Sequence, residues 1–251
     1  MVKRIDVAML PGEALSIDAD CYCVVDVLRA TTTIATLFAH GLSRLWAVDD
    51  LERARAMASE HRALLLGEVG GLPPEGFDGG NSPCEAAQAP VAGREAVLFT
   101  TNGTRALCAL AGRGKVLVGA LSNASAVAKR MAEFERVAIV CAGEHAGQRF
   151  ALEDFGAASV LVRRLLKLSP GAETGDAAGL AAETARYDDW LRVGLPQQTG
   201  PSGRLIAGAE HAQALVELGL GADVRFAAQE DTSGAVPAVV DAGHGWALIA
   251  G

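Results

Sequence analysis

The sequence predicts an α/β protein, a three-layer α/β/α architecture with a mostly parallel sheet and antiparallel strands toward its C-terminal end. Three observations carry that expectation. Short apolar, β-branched runs recur along the chain, and each leads through a turn into a segment of helical period, the pattern of right-handed βαβ units. Hydrophobic residues make up 50% of the chain and glycine fills 29 positions while aromatics contribute 5%, so Ala, Val and Leu form the core around tight turns. At 251 residues, against a prior of about 150 per domain, the chain reads as a single α/β domain over residues 1–251, with a sub-boundary near 169–175 as a candidate division.

Arg4 to Met9 is the first strand, and Tyr22 to Leu28 is the second, leading into a helix from about Thr31 to His40. Leu45 to Val48 is a strand, and Asp49 or Asp50 caps the helix Leu51 to Glu60. Ala63 to Leu66 is followed by a long loop, the strand Ala96 to Phe99, a helix from about Thr104 to Leu110, and the strand Lys115 to Val118. Ser122 or Asn123 caps a helix through Phe134, Val137 to Cys141 is a strand, and Leu152 to Leu168 is the longest helical pattern. Beyond it, Ser169 to Gly175 reads as a linker or surface loop. An Ala-rich helix runs to about Val193, a break covers Pro196 to Gly203, and Gly203 to Leu218 is helical. Val224 to Ala227, Ala238 to Asp241 and Ala247 to Ile249 read as short strands that add antiparallel edges to the sheet. Ligands in such sheets sit outside the carboxyl ends of the strands, so the loops after Leu28, Leu66, Phe99 and Cys141 are expected to share one rim.

A net charge of −8 argues against nucleic acid or an anionic membrane as a partner, since either calls for a basic face. What remains is a small molecule, with a homodimer as the protein partner left open. Five cysteines, an odd number spread through apolar segments, fit reduced thiols better than a disulfide framework. No segment approaches the ~18 apolar residues of a membrane span, and the apolar run at the N-terminus is too short for a signal peptide. The expected location is the cytoplasm.

Four loops could carry chemistry. The first, D-V-L-R-A-T-T-T, sets Asp26 and Arg29 before Thr31, Thr32 and Thr33 at a helix N-terminus, where hydroxyls and unpaired N–H groups favour anions. Asp26 could hold a divalent cation and Arg29 could fork onto an oxyanion; equally, the two could form a buried pair that orders a strand end. The second, Gly67 to Pro83, is long for a connection inside a compact domain. Glu68 follows a strand end directly, and Asn81, Ser82 and Pro83 resemble a helix cap beside the glycines 79 and 80, whose N–H groups could cradle an anion. The third, Thr100 to Arg105, offers side-chain donors from Thr101, Asn102, Thr104 and Arg105, while Gly103 lets the backbone approach a ligand closely. The fourth, Cys141 to Ala158, carries Glu144, His145, Glu153 and Asp154. The last two open a long helix, where the dipole favours acids in its own right, and neighbours ~100° apart on a helix do not readily share one metal.

Together the rim holds carboxylates as candidate metal ligands (Asp26, Glu68, and Glu153 or Asp154), two arginines (Arg29 and Arg105) and many neutral donors. Carboxylates without a His or Cys cluster select a hard cation such as Mg²⁺, and arginines select an oxyanion. That set suits metal-assisted hydrolysis of a phosphomonoester, with Asp26 as principal metal ligand and Arg29 and Arg105 as oxyanion clamps. A non-catalytic binder of a phosphorylated or sulfonated metabolite would use the same donors without a metal. A third reading takes Cys23 and Arg29 as the C-x5-R of thiol phosphatases, but the residues between them are strand-like and include Asp26, which would repel phosphate. Asp26 after an apolar run is similar to the haloacid-dehalogenase nucleophile, yet Leu28 replaces the second Asp of that motif.

In these loops the sequence resembles the 2-phosphosulfolactate phosphatase (ComB-like) family. The matching segments are V-V-D-V-L-R-A-T-T-T-I at Val24 to Ile34, G-E at Gly67 and Glu68 with G-F-D-G-G-N-S-P at Gly76 to Pro83, T-T-N-G-T-R-A at Thr100 to Ala106, and C-A-G followed by L-E-D at Cys141 to Asp154. The resemblance implies a Mg²⁺-dependent acid phosphatase of α/β/α architecture acting on small 2-hydroxy-acid phosphates such as 2-phosphosulfolactate, in the route to coenzyme M. It places Asp26, Arg29, the Thr cluster, Asn81, Asn102, Glu153 and Asp154 in or near the site. The segment G-E-H-A-G-Q-R-F departs from the family's usual form, and the tail beyond Ser169 matches only loosely.

Overall fold

The computed structural model describes residues 1–187 and 206–251. The strands are β1 (Arg4–Ala8), β2 (Cys21–Val25), β3 (Arg44–Val48), β4 (Leu64–Gly67), β5 (Glu95–Phe99), β6 (Lys115–Gly119), β7 (Arg136–Cys141), β8 (Glu173–Thr174), β9 (Ala238–Gly243) and β10 (Trp246–Ala250). They form one ten-stranded sheet in the order β4-β5-β3-β10-β9-β6-β2-β7-β1-β8. The helices are α1 (Pro11–Ala14), α2 (Ala30–Ala39), α3 (Leu51–His61), α4 (Pro83–Ala86), α5 (Gly103–Leu110), α6 (Ala124–Met131), α7 (Leu152–Leu168), α8 (Asp176–Tyr187), α9 (Glu210–Glu217) and α10 (Gly221–Ala227). None is long and apolar enough to cross a membrane, among the described residues.

β2 shows why the second strand is apolar at every position. It lies between β6 and β7, parallel to both, and helices cover each face, so all five of its residues are buried. Cys23, Val25, Ile139 and Cys141 point toward α6 and α7, where they meet Val127, Met131 and Leu161. Tyr22, Val24, Val118 and Val140 point the other way, onto Ile34 and Leu37 of α2 and Leu107 and Leu110 of α5. That second layer continues without a break to Leu45, Leu98 and Ile249, so α2 and α5 serve strands on both sides of the sheet's middle. A third, smaller cluster packs Trp46, Val48, Val97 and Phe99 against Ala54 and Ala58 of α3. Each buried Leu or Ile contributes roughly 1.5–3 kcal/mol relative to exposure.

The C-terminal strands are antiparallel as expected, but they do not lie at an edge. The β9–β10 hairpin sits in the middle of the sheet, antiparallel to β3 on one side and joined to β6 at Leu117 and Ala238 on the other. β4, β5 and β3 are mutually parallel, as are β6, β2, β7, β1 and β8, and the hairpin reverses the sense between the two groups. Three further expectations are corrected. Residues Val224 to Ala227 form the end of α10 rather than a strand. β2 ends at Val25, which puts Asp26, Val27 and Leu28 in the turn that follows. Inside the expected linker at 169–175, Glu173 and Thr174 pair with Arg4 and Ile5 as β8. The expected Ala-rich helix is present as α8 from Asp176 to Tyr187, while its continuation to Val193, the break at Pro196 to Gly203 and the start of the next helix fall outside the described residues.

Candidate active site

The four loops converge, and side chains within them do the joining. Asp154, in the first turn of α7, accepts the backbone N–H of Val27 on Oδ1 at 2.8 Å and that of Gly143 on Oδ2 at 3.0 Å, clamping the loop after β2 to the loop after β7. Glu68, just beyond β4, accepts the backbone N–H and the hydroxyl of Thr101 on Oε1, both at 2.9 Å, and the N–H of Gly71 on Oε2 at 2.9 Å. Asn102 Oδ1 accepts from Ala146 N at 2.9 Å, which ties the loop after β5 to that after β7. Gly103 lies so close to the first loop that a Cβ there would stand 2.5 Å from Asp26 Oδ2 and 2.7 Å from Ala30 Cβ, so only glycine fits.

Asp26 is 5% exposed and accepts the Ala30 N–H on Oδ1 at 3.2 Å. Burial pushes its carboxyl up to about 6; Glu68 and Glu153 add to the shift, and His211 and the Ala30 amide oppose it. Asp154 is held well above the ordinary carboxylate range by burial and by the charges of Asp26 and Glu153, against the pull of its two backbone donors. Acids this close resist ionising together. Glu144, which the sequence puts on the fourth loop without a role, and His211, which it does not single out, join them. Glu144 from the β7–α7 loop and His211 from α9 stand with Glu153 such that one ligand atom from each lies within 4.8 Å of the others. His211 Nδ1 is 3.0 Å from Glu153 Oε1. Burial alone would lower the imidazole, but the Glu153 hydrogen bond and the charges of Glu153, Asp26 and Glu144 outweigh it and raise it above its ordinary value.

Arg29 is equally buried and is already engaged. Its Nη1 donates to Asp223 Oδ2 at 2.7 Å and its Nη2 to the Gly71 carbonyl at 2.6 Å. Asp223 of α10 was also invisible to sequence reasoning, because the apolar alternation around it reads as a strand. Arg105 is exposed and makes no hydrogen bond or ion pair among the described residues; it lines a cavity of about 470 Å³ with Asn102, Glu144, His145 and His211. A smaller cavity of about 30 Å³ lies deeper, bordered by Asp26, Arg29, Glu68, Asn81, Asn102 and His211. Its size is about one water's share of liquid volume.

The hydroxyls serve the fold more than the cavity. Thr31 and Thr32 donate to the carbonyls of Asp26 and Val27, and Thr33 to that of Asn81. Thr104 donates to the Thr100 carbonyl, while Ser82 donates to Asp223 and caps α4 by accepting the Glu85 N–H. Asn81 keeps its side chain in the site, and its buried Oδ1 has no partner among the described residues; Glu153 Oε2 is in the same state. Two orphaned oxygens beside crowded acids fit a hard cation, which would supply the missing contacts and the missing positive charge. A thiol nucleophile does not fit. Cys23 is fully buried in β2, burial holds its thiol well above the ordinary value, and the arginine of its C-x5-R spacing is paired with Asp223.

Known proteins match this chain along nearly all of its length. The family described as 2-phosphosulpholactate phosphatase matches residues 10–242. A Thermus thermophilus protein named "Probable 2-phosphosulfolactate phosphatase" is 42% identical over 238 residues, covering 93% of each chain. A Deinococcus radiodurans protein of the same name is 39% identical over 243 residues, covering 94% of this chain and 93% of its own, and one from Synechococcus sp. strain CC9605 is 40% identical over 228 residues, covering 89% and 90%. With the motifs, the sheet and these matches in agreement, the chain belongs to the 2-phosphosulpholactate phosphatase family.

Proposed function

We propose that this phosphoric monoester hydrolase is a Mg²⁺-dependent phosphatase of small 2-hydroxy-acid phosphomonoesters, such as 2-phosphosulfolactate, which it would cleave to 3-sulfolactate and phosphate. The observation that carries the reading is the gathering of Asp26, Glu68 and His211 around a small cavity that also borders a buried arginine, with Glu153 and Glu144 clustered at His211 beside it. Asp26 and Glu153 would hold the ion, with Asn81 Oδ1, Glu144 and His211 as neighbouring donors, while Glu68 and Asp154 keep the loops in place through backbone N–H groups. When bound, Mg²⁺ neutralises charge on the phosphoryl oxygens. Arg29 presents N–H donors to the same oxygens, Asn102 borders both cavities, and Arg105 at the open end suits the second anionic group of the substrate, a carboxylate or sulfonate. We place the protein in the cytoplasm, a setting that its five free thiols favour.

Asp26→Asn tests the metal role. In saturating Mg²⁺ the variant is expected to lose turnover while keeping its far-ultraviolet dichroism and its cooperative melting. Undiminished phosphate release would remove Asp26 from the chemistry. Calorimetry of the substrate with and without EDTA, run beside phosphate release, separates an enzyme from a binding protein: metal-independent binding without release would support the latter.

A further inference from the structure

Asp223 lies in the first turn of α10, 194 residues along the chain from the arginine it holds, and is 2% exposed. Its Oδ2 accepts from Arg29 Nη1 at 2.7 Å and its Oδ1 accepts from Ser82 Oγ at 2.6 Å. The other arm of the guanidinium, Nη2, is fixed on the Gly71 carbonyl at 2.6 Å. A guanidinium carries five N–H donors in a rigid plane. One contact at each Nη therefore sets the plane and its rotation, and leaves three N–H groups on a side chain that borders the small cavity with Asp26 and Asn81. The carboxylate also balances the buried positive charge, so Arg29 enters the site as a directional donor more than as a loose cation.

A purely structural ion pair explains this poorly. Buried pairs contribute little stability over apolar groups of the same shape, and this one ties two of the segments that border the small cavity, the turn after β2 and the loop after β4, to α10 behind them. We infer that Asp223 is a positioning residue for the proposed reaction, one that fixes the Arg29 guanidinium in the plane that meets the phosphoryl oxygens of the substrate. The inference rests on the phosphatase reading only in taking Arg29 as the oxyanion clamp.

The test uses inorganic phosphate as a probe, so that it reads Arg29 without turnover. Phosphate binding is measured by calorimetry in Mg²⁺ for the wild type, Asp223→Asn, Arg29→Met and the double variant, with melting temperatures alongside. Asp223→Asn is expected to weaken phosphate at least tenfold, and to add nothing once Arg29 is Met. Equal weakening by Asp223→Asn in both backgrounds, or phosphate affinity within twofold of wild type in the single variant, would overturn the inference. Should Asp223→Asn fail to fold, Asp223→Glu keeps the charge and displaces the guanidinium; it is expected to weaken phosphate while melting near the wild-type temperature, and unchanged affinity in it overturns the inference equally. A wild type that binds phosphate through Arg29 and Asp223 but releases none from any phosphomonoester would sink the phosphatase reading and leave this one standing.

Discussion

Asp26 is the acid whose ionisation the fold resists. Its folded value near 6 exceeds the ordinary 3.8, so between those pH values the folded chain keeps a proton that the unfolded chain has released. Stability is therefore greatest below the lower value and falls as pH rises through the upper one, by about 3 kcal/mol at most for such a shift. A bound cation favours the carboxylate and works the other way. Melting curves stepped through this window are expected to fall with rising pH without Mg²⁺, to flatten with it, and to lose the Asp26 share of the slope in Asp26→Asn. Asp154 shifts in the same direction, so the difference between wild type and variant isolates Asp26; identical slopes would show that Asp26 does not titrate there. Arg105, which has no partner among the described residues, supports a second expectation. Losing one charge-assisted contact of about 1.5–3 kcal/mol raises KM roughly 10- to 100-fold, so Arg105→Ala is expected to do this for a phosphomonoester bearing a carboxylate or sulfonate and to spare one with a neutral tail. Equal losses on both substrates would deny it the specificity role. Asp26, Glu68, Asn81 and Arg105 were legible in the sequence because each stands inside a short run of unusual chemistry. The fate of the Thr hydroxyls was not, since counting donors does not show that Asp26, Val27 and Asn81 expose the carbonyls that take them.

Among the elements, α9 bears most directly on the site while showing least of it in sequence. It is a short amphipathic helix whose buried positions, Ala212 and Leu215, settle its packing, and the same turn that buries Ala212 brings His211 to Glu153. Nothing in A-E-H-A-Q distinguishes that histidine from a surface one. α10 was hidden differently: V-R-F alternates apolar and charged residues, so its period reads as a strand until tertiary packing makes it a helix. The strand-to-helix turns after β2 and β5 were legible because strand, turn and helix are contiguous there. His211→Ala is expected to lower the affinity for a divalent cation about 10- to 100-fold, the usual scale for removing a ligand's hydrogen-bonding partner. Titration with Mn²⁺ followed by electron paramagnetic resonance reads this without substrate. Unchanged affinity would confine His211 to a role outside the cation site.

At the scale of the molecule, the layered architecture was readable from periodicity, but the position of the last two strands was not. Hydrophobic alternation in A-V-V-D-A-G and W-A-L-I-A shows that they are strands with a buried face; which strands they pair with depends on contacts far away in the chain. Their central place matters, because the hairpin joins the group whose loops carry Glu68 and Thr101 to the group whose loops carry Asp26 and Asp154. Ala247 and Ile249 are fully buried within it. Deleting residues 236–251 would leave β3 and β6 as open edges and remove a wall from the layer beneath α2 and α5, and long exposed edges invite aggregation. The truncated chain is expected to lose its cooperative thermal transition and to associate at concentrations where the full chain stays dispersed, as light scattering would read. A truncated chain that melted cooperatively at the wild-type temperature would mean that α2 and α5 alone hold the two groups together, and that the hairpin merely fills the gap between them.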